Sequence, residues 1–485
     1  MTLLFLVFTI NSYGQIDPTE NFKKSTVKIG EVRFDICKGT LPVKIIHSDS
    51  SSAFISLPVH IIKSSSLSPE EPIYWMAGGP GESNLELTPP KEYLASHDFV
   101  LVGYRGVDGP VMKKSKKIMK ALRGVNNQLL SDKSLDNLGT IVKQYVAESV
   151  KNGIDINYFT IIDVIDDFEE VRKQLGHQKI NLYSVSYGTR VALLYSYRYP
   201  EAVKRSLMVA VNPPGHCIWY PEMTTRIIRD YDSIYMAQYG AGDISIEESI
   251  RHSFERMPKR WSLFKLDADK IKATSFCMLY SKNSAVMAFD AHRKAALKGD
   301  YSGLYFMQLA YDYIDLFKPV ATNYGDQFIK AYSADYNPEM DYRKVFRPDK
   351  LEIDAPLSML YWGMGSIEAV NLIDAEYREL RLCITETLMV GGDLDIANPP
   401  ELTINELMPY MSNGKQVILK HMAHTGDLRF SQRSAYKHMF VRYFDDGVVD
   451  TSKFKQDSVN FETKRSFNKM AKWLYPLVLI MSIIK

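Results

Sequence analysis

A serine at the junction of two contrasting stretches is the first candidate for chemistry. The stretch 180–185 predicts a strand, and the pattern over 187–199 predicts a helix. Ser186 lies between them, flanked two positions away on each side by the small residues Ser184 and Gly188, which permit a tight turn. Such a turn lifts the hydroxyl clear of a sheet and makes it a candidate nucleophile. The plainer interpretation is a serine that only caps a helix.

An aspartate and a histidine later in the chain could activate this serine. A serine hydroxyl is a weak nucleophile at neutral pH, so it needs a base and a carboxylate that orients the base. Asp395 and His424 each follow a strand-like stretch, so we expect both at the carboxyl edge of a parallel sheet, where sites of such sheets form. Asp393 and His421 are close rivals. Without the serine, all four would be ordinary loop residues.

A glycine-rich turn, 78–81, follows an apolar stretch about one hundred residues before Ser186. Glycines let the backbone approach a substrate carbonyl, so the amide of Gly79 is a candidate oxyanion donor beside the amide of Tyr187. Taken alone, such a turn is only a turn. Together these residues would perform acyl transfer through a serine, and this reaction requires no metal or organic cofactor.

The order of predicted elements defines the fold class. Strand-like stretches occur between Ser25 and Lys63 and at 72–77, 99–103, 180–185, 206–211, 376–390 and 416–419, with predicted helices at 161–175 and 187–199. Continuous apolar runs are typical of strands buried on both faces, as in a parallel sheet. The alternation of strands and helices therefore predicts an α/β fold with a mostly parallel sheet flanked by helices. A long, aromatic-rich helical region at 216–380 interrupts the strand pattern.

Composition narrows the class of function. The chain has 485 residues and a net charge of +2, so no charge imbalance marks a nucleic-acid binder, and we expect no nucleic-acid partner. No apolar run reaches the ~20 residues that a membrane span requires. We expect a globular protein whose partner is a peptide or small acyl substrate, and the oligomeric state is left open.

Both ends of the chain carry short apolar segments. Leu3–Ile10 followed by small residues near Gly14 predicts a signal peptide over 1–14, and hence export to a periplasmic or extracellular location. The n-region has no Lys or Arg, so a buried segment is the alternative. Residues 473–484 are apolar but short for a span, which leaves a buried helix or a membrane-surface anchor.

Four cysteines occur, and none forms a CxxC pair, so a zinc site is not expected. In an exported protein one or two disulfides could form, with pairings that the sequence does not separate. The alternative is four small buried side chains. The cysteines are Cys37, Cys217, Cys277 and Cys383.

Four segments of the chain resemble the serine aminopeptidase family of the α/β-hydrolases, which includes proline iminopeptidases and secreted tripeptidyl aminopeptidases. Ala-Gly-Gly-Pro-Gly at 77–81 is similar to the family's His-Gly-Gly-Pro-Gly loop, and 103–109 is similar to its Asp-x-Arg-Gly-x-Gly turn. Residues 167–200 match most closely, and 392–424 match the final acid and histidine turns. The resemblance runs from about 37 to 439, except for the insertion. Three positions depart from the pattern: Ala77, Gly103 and Ser184.

The resemblance implies an α/β-hydrolase fold with a large helical cap inserted between strands. It divides the chain into a first core part at 15–215, a cap at 216–380, a second core part at 381–460 and a tail at 461–485. It also implies that Ser186, His424 and Asp395 form a catalytic triad. Acidic residues would hold the free ammonium group of a peptide, and Glu82 and Glu222 are our candidates, with solvated surface carboxylates as the alternative.

Three functions are compatible with the sequence. The first is an exported serine aminopeptidase that releases N-terminal residues or short peptides through an acyl-enzyme. The second is an ester or other small-acyl hydrolase on the same fold, because the fold hosts many hydrolases. The third is a catalytically inactive binding protein, which the three departures from the family pattern would permit.

Overall fold

The computed structural model describes residues 19–109, 115–126, 128–240, 242–313, 324–346, 353–463 and 466–483. The signal peptide expected over 1–14 lies outside these ranges, so it stays a prediction. All candidate residues for chemistry lie within them.

A nine-stranded sheet forms the centre of the described fold, in the order β1-β2-β3-β5-β4-β6-β7-β8-β9. The first three strands pair antiparallel, and β3 pairs antiparallel with β5. The remaining pairs are all parallel, so six adjacent strands run in the same direction: β5, β4, β6, β7, β8 and β9. The strands are β1 Lys23–Ile29, β2 Val32–Lys44, β3 Phe54–Ile62, β4 Glu70–Met76, β5 His97–Val102, β6 Ile180–Val185, β7 Val203–Val209, β8 Glu386–Gly392 and β9 Gly414–Leu419.

The central strands are mostly apolar because helices cover both of their faces. Every residue of β5 and β6 is buried, including the polar His97, Asp98, Asn181 and Ser184. Strand β6 coincides with the predicted run 180–185. The predicted strand region 376–390 is wrong in its first part, because β8 begins only at Glu386 and a short 3₁₀ turn occupies Ala375–Tyr377.

Helices connect and cover the parallel strands. The helix that precedes β6 begins at a capping box, in which the Thr160 side chain accepts from the Asp163 amide and the Asp163 carboxylate accepts from the Thr160 amide. The next helix contacts β4, β6 and β7. In chain order the described helices before the cap are α1 Lys116–Ala121, α2 Asp132–Lys151, α3 Ile161–Gln174 and α4 Tyr187–Arg198.

A helical insertion separates β7 from β8. It contains α5 Pro221–Tyr239, α6 Ile246–Glu255, α7 Ala268–Met278, α8 Lys282–Lys298, α9 Ser302–Tyr313, α10 Tyr324–Asp335, α11 Tyr342–Phe346 and α12 Pro356–Trp362. A small hairpin, 260–265, lies between α6 and α7. Apolar side chains of α5 to α9 form a buried cluster of their own, so this part of the insertion is a packed layer.

Helices α1 and α2 also belong to the cap, although the sequence analysis assigns them to the core. Helices α1 and α2 lie between β5 and α3, within the range 15–215 that the sequence assigns to the core. In the structure their apolar residues cluster with those of α10 and α12. The backbone of Gly139 in α2 lies against the carbonyl of Met364 so closely that a side chain would collide. The described cap is therefore built from two separate parts of the chain.

The last helices return to the core and then to the cap. Helices α13 Thr425–Phe430 and α14 Arg433–Asp446 follow β9, and α15 Phe467–Ile483 packs on α9. The side-chain Nδ2 of Asn468 in α15 donates a hydrogen bond to the Asp300 carbonyl at 3.0 Å, and the ring of Phe467 stacks on that of Phe306. Among the described residues, no helix has the length and apolar character needed to cross a membrane.

All four cysteines lie in the described part of the chain, and none forms a disulfide. Cys37 and Cys383 are buried, whereas Cys217 and Cys277 are partly accessible. The disulfides that the sequence left open are therefore absent from this fold.

Candidate active site

The backbone at Ser186 turns sharply from β6 into α4. Its φ of 52° and ψ of −128° are a strained combination for a residue with a side chain. A side chain at Gly188 would collide with the carbonyls of Met76 and Ala77, so this position admits only glycine. At Ser184, where the resembled family has glycine, the hydroxyl donates to the Leu207 carbonyl at 3.3 Å. The serine that replaces the family's glycine at position 184 is thus buried and hydrogen-bonded within the sheet.

The structure brings Ser186, His424 and Asp395 together. The Ser186 Oγ lies 3.0 Å from the His424 Nε2, and the His424 Nδ1 lies 2.9 Å from the Asp395 Oδ2. Because a carboxylate only accepts hydrogen bonds, Nδ1 carries the proton and Nε2 is free to accept from the serine. Asp395 is fully buried, and its Oδ1 also accepts from the amides of Ala397 and Asn398. These contacts hold the carboxylate in one orientation.

The two rival residues lie elsewhere. Asp393 faces Lys420, with 3.6 Å between the carboxylate and the ammonium group. His421 uses Nδ1 to contact the Asp457 carbonyl at 2.8 Å. Neither lines the cavity that contains Ser186.

The glycine turn packs directly beside the serine. A side chain on Gly78 would lie 3.1 Å from the Ser186 Cβ, so glycine lets the turn approach the elbow. Gly79 has a φ of +107°, a conformation that favours glycine. Gly79 and Tyr187, the two predicted oxyanion donors, both line the cavity that contains Ser186.

A buried asparagine, Asn84, supports the glycine turn. The resembled family has a histidine at position 77, where this chain has alanine. The amide of Ala77 donates to the Asn84 Oδ1 at 2.7 Å, and the Asn84 Nδ2 donates to the carbonyls of Trp75 and Val102 at 2.9 and 2.7 Å. Asn84 therefore ties the turn to β4 and β5. No histidine at position 77 is needed to hold this loop.

The segment 103–109, which follows β5, is joined to α3 and to the chain after β2 by the hydrogen bonds of Arg105. The Arg105 Nε donates to the buried Asp167 of α3 at 2.6 Å, and the Arg105 Nη1 donates to the Ile45 carbonyl at 2.9 Å. A side chain at Gly103 would collide with Pro58 and Asp108, so an acidic residue does not fit there. This explains the third departure from the family pattern by local packing.

A cavity of about 720 Å³ opens in front of the serine and histidine. The core supplies one wall, and the other walls come from both parts of the cap. Most cap residues in the lining are apolar or aromatic: Met119, Leu122, Trp219, Met278, Tyr280, Leu357, Leu360 and Tyr361. The site is thus an enclosed cleft between core and cap, the arrangement typical of small-molecule and peptide sites.

The structure separates the two acidic candidates. Glu82 lines the cavity, and its Oε2 lies 3.6 Å from the position of a side chain on Gly78. The surrounding protein raises the pKa of Glu82 because it disfavours the charged carboxylate, while the nearby His424 opposes this rise. Glu222 lies in the first turn of α5, is exposed and does not line the cavity. Of these two candidates, only Glu82 lines the cavity.

Sequence reasoning missed three residues of the site. The ring of Tyr280, a residue of the cap, contacts the His424 ring edge-on. Asn212 and Gln327 line the cavity, and their side-chain carbonyl oxygens are buried without a hydrogen-bond partner among the described residues. Such oxygens can accept a hydrogen bond from an N–H group of a substrate. No sequence motif marks these positions, because each reaches the site through the folding of a distant segment.

Two cysteines, Cys217 and Cys277, line the cavity. Burial raises the pKa of the thiols of Cys217 and Cys277 to about 12, so both are neutral at physiological pH. The described residues include no cluster of three or more His, Cys, Asp or Glu side chains arranged to hold a metal ion.

Comparison with known proteins identifies the family. The sequence model of the α/β-hydrolase fold matches residues 131–406, which include Ser186 and Asp395. The chain belongs to the α/β-hydrolase fold family. The fold class that the sequence predicts is therefore confirmed.

Individual relatives match only short parts of the chain. Tripeptidyl aminopeptidase of Streptomyces lividans is 32% identical over 71 residues, which is 14% of this chain and 13% of the relative. Serine protease Hip1 of Mycobacterium tuberculosis is 28% identical over 148 residues, 28% of each chain. The matches thus span less than a third of these relatives.

Among solved structures, a serine hydrolase from Cycloclasticus zankles is similar over 85% of this chain and 100% of that chain, at 11% identity and a TM-score of 0.40. A meta-cleavage product hydrolase from Pseudomonas fluorescens is similar over 81% of this chain and 96% of that chain, at 11% identity and a TM-score of 0.37.

Proposed function

We propose that this protein is a serine hydrolase that works through an acyl-enzyme, with Ser186 as nucleophile, His424 as base and Asp395 as orienting carboxylate. The observation that carries the proposal is the chain of hydrogen bonds from the Ser186 Oγ through the imidazole to the Asp395 carboxylate, at 3.0 and 2.9 Å. Its distances suit proton transfer without rearrangement. It also ends at a cavity large enough for a substrate.

The proposed reaction follows from this geometry. As the Ser186 Oγ attacks a substrate carbonyl, its proton passes to the His424 Nε2, and the buried Asp395 stabilises the resulting imidazolium. The amides of Gly79 and Tyr187 hold the oxyanion of the tetrahedral intermediate. His424 then protonates the leaving amine or alcohol. Water then enters and gives a proton to His424 as it attacks the acyl-enzyme. The acid leaves as His424 returns that proton to the Ser186 Oγ, which restores the free enzyme.

We propose further that the substrate is a peptide with a free amino terminus. Glu82 is the acidic residue beside the glycine turn, and in the described cavity it has no salt-bridge partner of its own. An ammonium group could therefore pair with it while the adjacent carbonyl faces Ser186. The unpartnered oxygens of Asn212 and Gln327 add acceptors for peptide N–H groups. Two relatives that match short parts of the chain, a tripeptidyl aminopeptidase and the serine protease Hip1, are peptidases by name, which agrees with this assignment.

An ester or other small-acyl hydrolase is the second candidate, and the cap side of the cavity favours it. Its lining of Leu, Met and aromatic side chains suits an apolar acyl group without an amine. Under this alternative, Glu82 would be a solvated carboxylate at the edge of the cavity.

One panel of substrates tests both candidates. Amino-acyl and tripeptidyl aryl amides, their N-acetylated forms and matching aryl esters are assayed with wild type and Ser186→Ala. We expect turnover to fall roughly 10³- to 10⁶-fold in the variant, and a fluorophosphonate to label only the wild type. An aminopeptidase loses activity when the amine is blocked, whereas an esterase does not. Equal turnover by Ser186→Ala would overturn the proposed mechanism.

A further inference from the structure

The hairpin 260–265 and the segment before it form a strongly basic surface on the cap. Arg256, Lys259, Arg260 and Lys265 are all exposed, and no acidic residue occurs between 256 and 266. Within the described residues, no carboxylate forms a salt bridge with any of these four side chains. The chain as a whole is close to neutral, at +2, so this concentration of positive charge is local.

The C-terminal helix α15 packs beside this hairpin. The hydroxyls of Ser262 and Tyr475 lie 2.7 Å apart, and the Tyr475 ring meets the rings of Trp261 and Phe264 edge-on at 5.5 and 5.8 Å. These contacts fix α15 against the hairpin. The basic residues and the helix therefore belong to one continuous surface.

Two large apolar side chains remain uncovered on this surface. Leu263 at the hairpin tip is 62% exposed, and Trp473 of α15 is 81% exposed. Lys469 and Lys472 are also exposed, and Lys472 pairs with Asp300 at 2.7 Å. We call residues 256–265 and 469–476 together the basic–aromatic surface.

We propose that the basic–aromatic surface docks on an anionic lipid membrane, with Trp473 and Leu263 inserted among the headgroups and the lysines and arginines facing lipid phosphates. Tryptophan and tyrosine beside basic residues are the side-chain set that binds membrane interfaces. The described part of α15 does not have the length and apolar character needed to cross a bilayer. A second copy of this chain is the less favourable occupant, because two such surfaces carry the same charge and repel.

The test is sedimentation of the whole chain with vesicles. One set contains phosphatidylglycerol mixed with phosphatidylcholine, and the other contains phosphatidylcholine alone. We expect the wild type to pellet mainly with the anionic vesicles. The double variant Lys259→Glu/Arg260→Glu should lower the partition coefficient at least about tenfold, because each charge near an anionic surface contributes to attraction. Trp473→Ser should lower it as well.

Matched control variants test whether vesicle binding depends on this surface or only on the overall charge and exposed apolar area of the protein. Lys24→Glu/Lys38→Glu changes the same charge at exposed positions of β1 and β2, and Leu382→Ser removes a leucine that is 67% exposed elsewhere. Both should pellet like the wild type. Ser186→Ala should also pellet normally, so docking and hydrolysis are tested independently.

Three outcomes would overturn the proposal. The first is equal pelleting with neutral and anionic vesicles. The second is unchanged binding by both surface variants. The third is a concentration-dependent dimer that Trp473→Ser abolishes without any vesicle binding, which would make a second copy the occupant. Circular dichroism of each variant verifies that the fold is retained.

Discussion

The ring of Tyr280 lies edge-on against the imidazole of His424, with 5.1 Å between the ring centroids and 75° between the planes. The Tyr280 carbonyl also accepts the His424 amide at 3.2 Å. A residue of the cap thus touches the proposed catalytic base directly. The cap therefore does more than cover the cavity, because it fixes the backbone and the ring of the histidine.

This contact predicts that Tyr280→Ala lowers kcat about tenfold, because a freer imidazole spends less time in line with Ser186. Tyr280→Phe keeps the ring and should retain most of the activity, which makes it the matched control. Steady-state kinetics on an aryl ester measure both variants. Equal losses in the two variants would show that the hydroxyl, and not the ring, is what matters.

Glu82→Gln should raise KM for substrates with a free amine about tenfold or more, since an ammonium–carboxylate pair is lost. N-acetylated substrates and esters should be unaffected. Glu222→Gln is the control, because Glu222 is exposed and outside the cavity. If the two variants give the same kinetics with free-amine substrates, Glu82 does not bind the amino group.

The raised pKa of Glu82 predicts a pH effect on substrate preference. The carboxylate must be charged to bind an ammonium group, and protonation neutralises it as the pH falls. Because the pKa is raised, this loss begins at a higher pH than it would for an ordinary glutamate. We expect the ratio of kcat/KM for free-amine to blocked substrates to fall on acidification. Any pH effect on the chemistry of the triad is common to both substrates and cancels in the ratio, and Glu82→Gln should show a flat ratio.

A buried ion pair joins the elbow helix to the cap. The Arg190 Nη1 of α4 lies 2.7 and 2.6 Å from the two carboxylate oxygens of Asp335 in α10, which also accept from the amides of Gly215 and Cys217. Asp335→Asn should lower the free energy of unfolding by about 3–5 kcal/mol, because it leaves the guanidinium buried without a counter-charge.

The control for this prediction is an exposed pair on α6. Arg251 and Glu255 are 2.8 Å apart, and both are partly exposed. Glu255→Gln should change the free energy of unfolding by less than about 1 kcal/mol. Urea denaturation followed by circular dichroism measures both variants. A loss at Asp335 no larger than at Glu255 would mean that the cap does not depend on this pair.

The sequence alone determined the features that depend on local chemistry. The elbow around Ser186 has small residues two positions before and two positions after the serine, between a strand pattern and a helix pattern. The α/β fold follows from mostly apolar strands that alternate with helices. The candidate acid and histidine follow from their places after strands. Each of these signals is local, because it lies in the residues on either side of the position concerned.

Only the tertiary structure decided which distant segments meet. It brought Asp395 and His424 to Ser186 and left Asp393 and His421 outside the cavity. It placed Glu82 in the cavity and Glu222 outside it, and it added α1 and α2 to the cap. Contacts of this kind join residues far apart in the chain, and they depend on the packing of whole helices. The periodicity of a sequence reports which face of a helix is buried, but not which surface covers it.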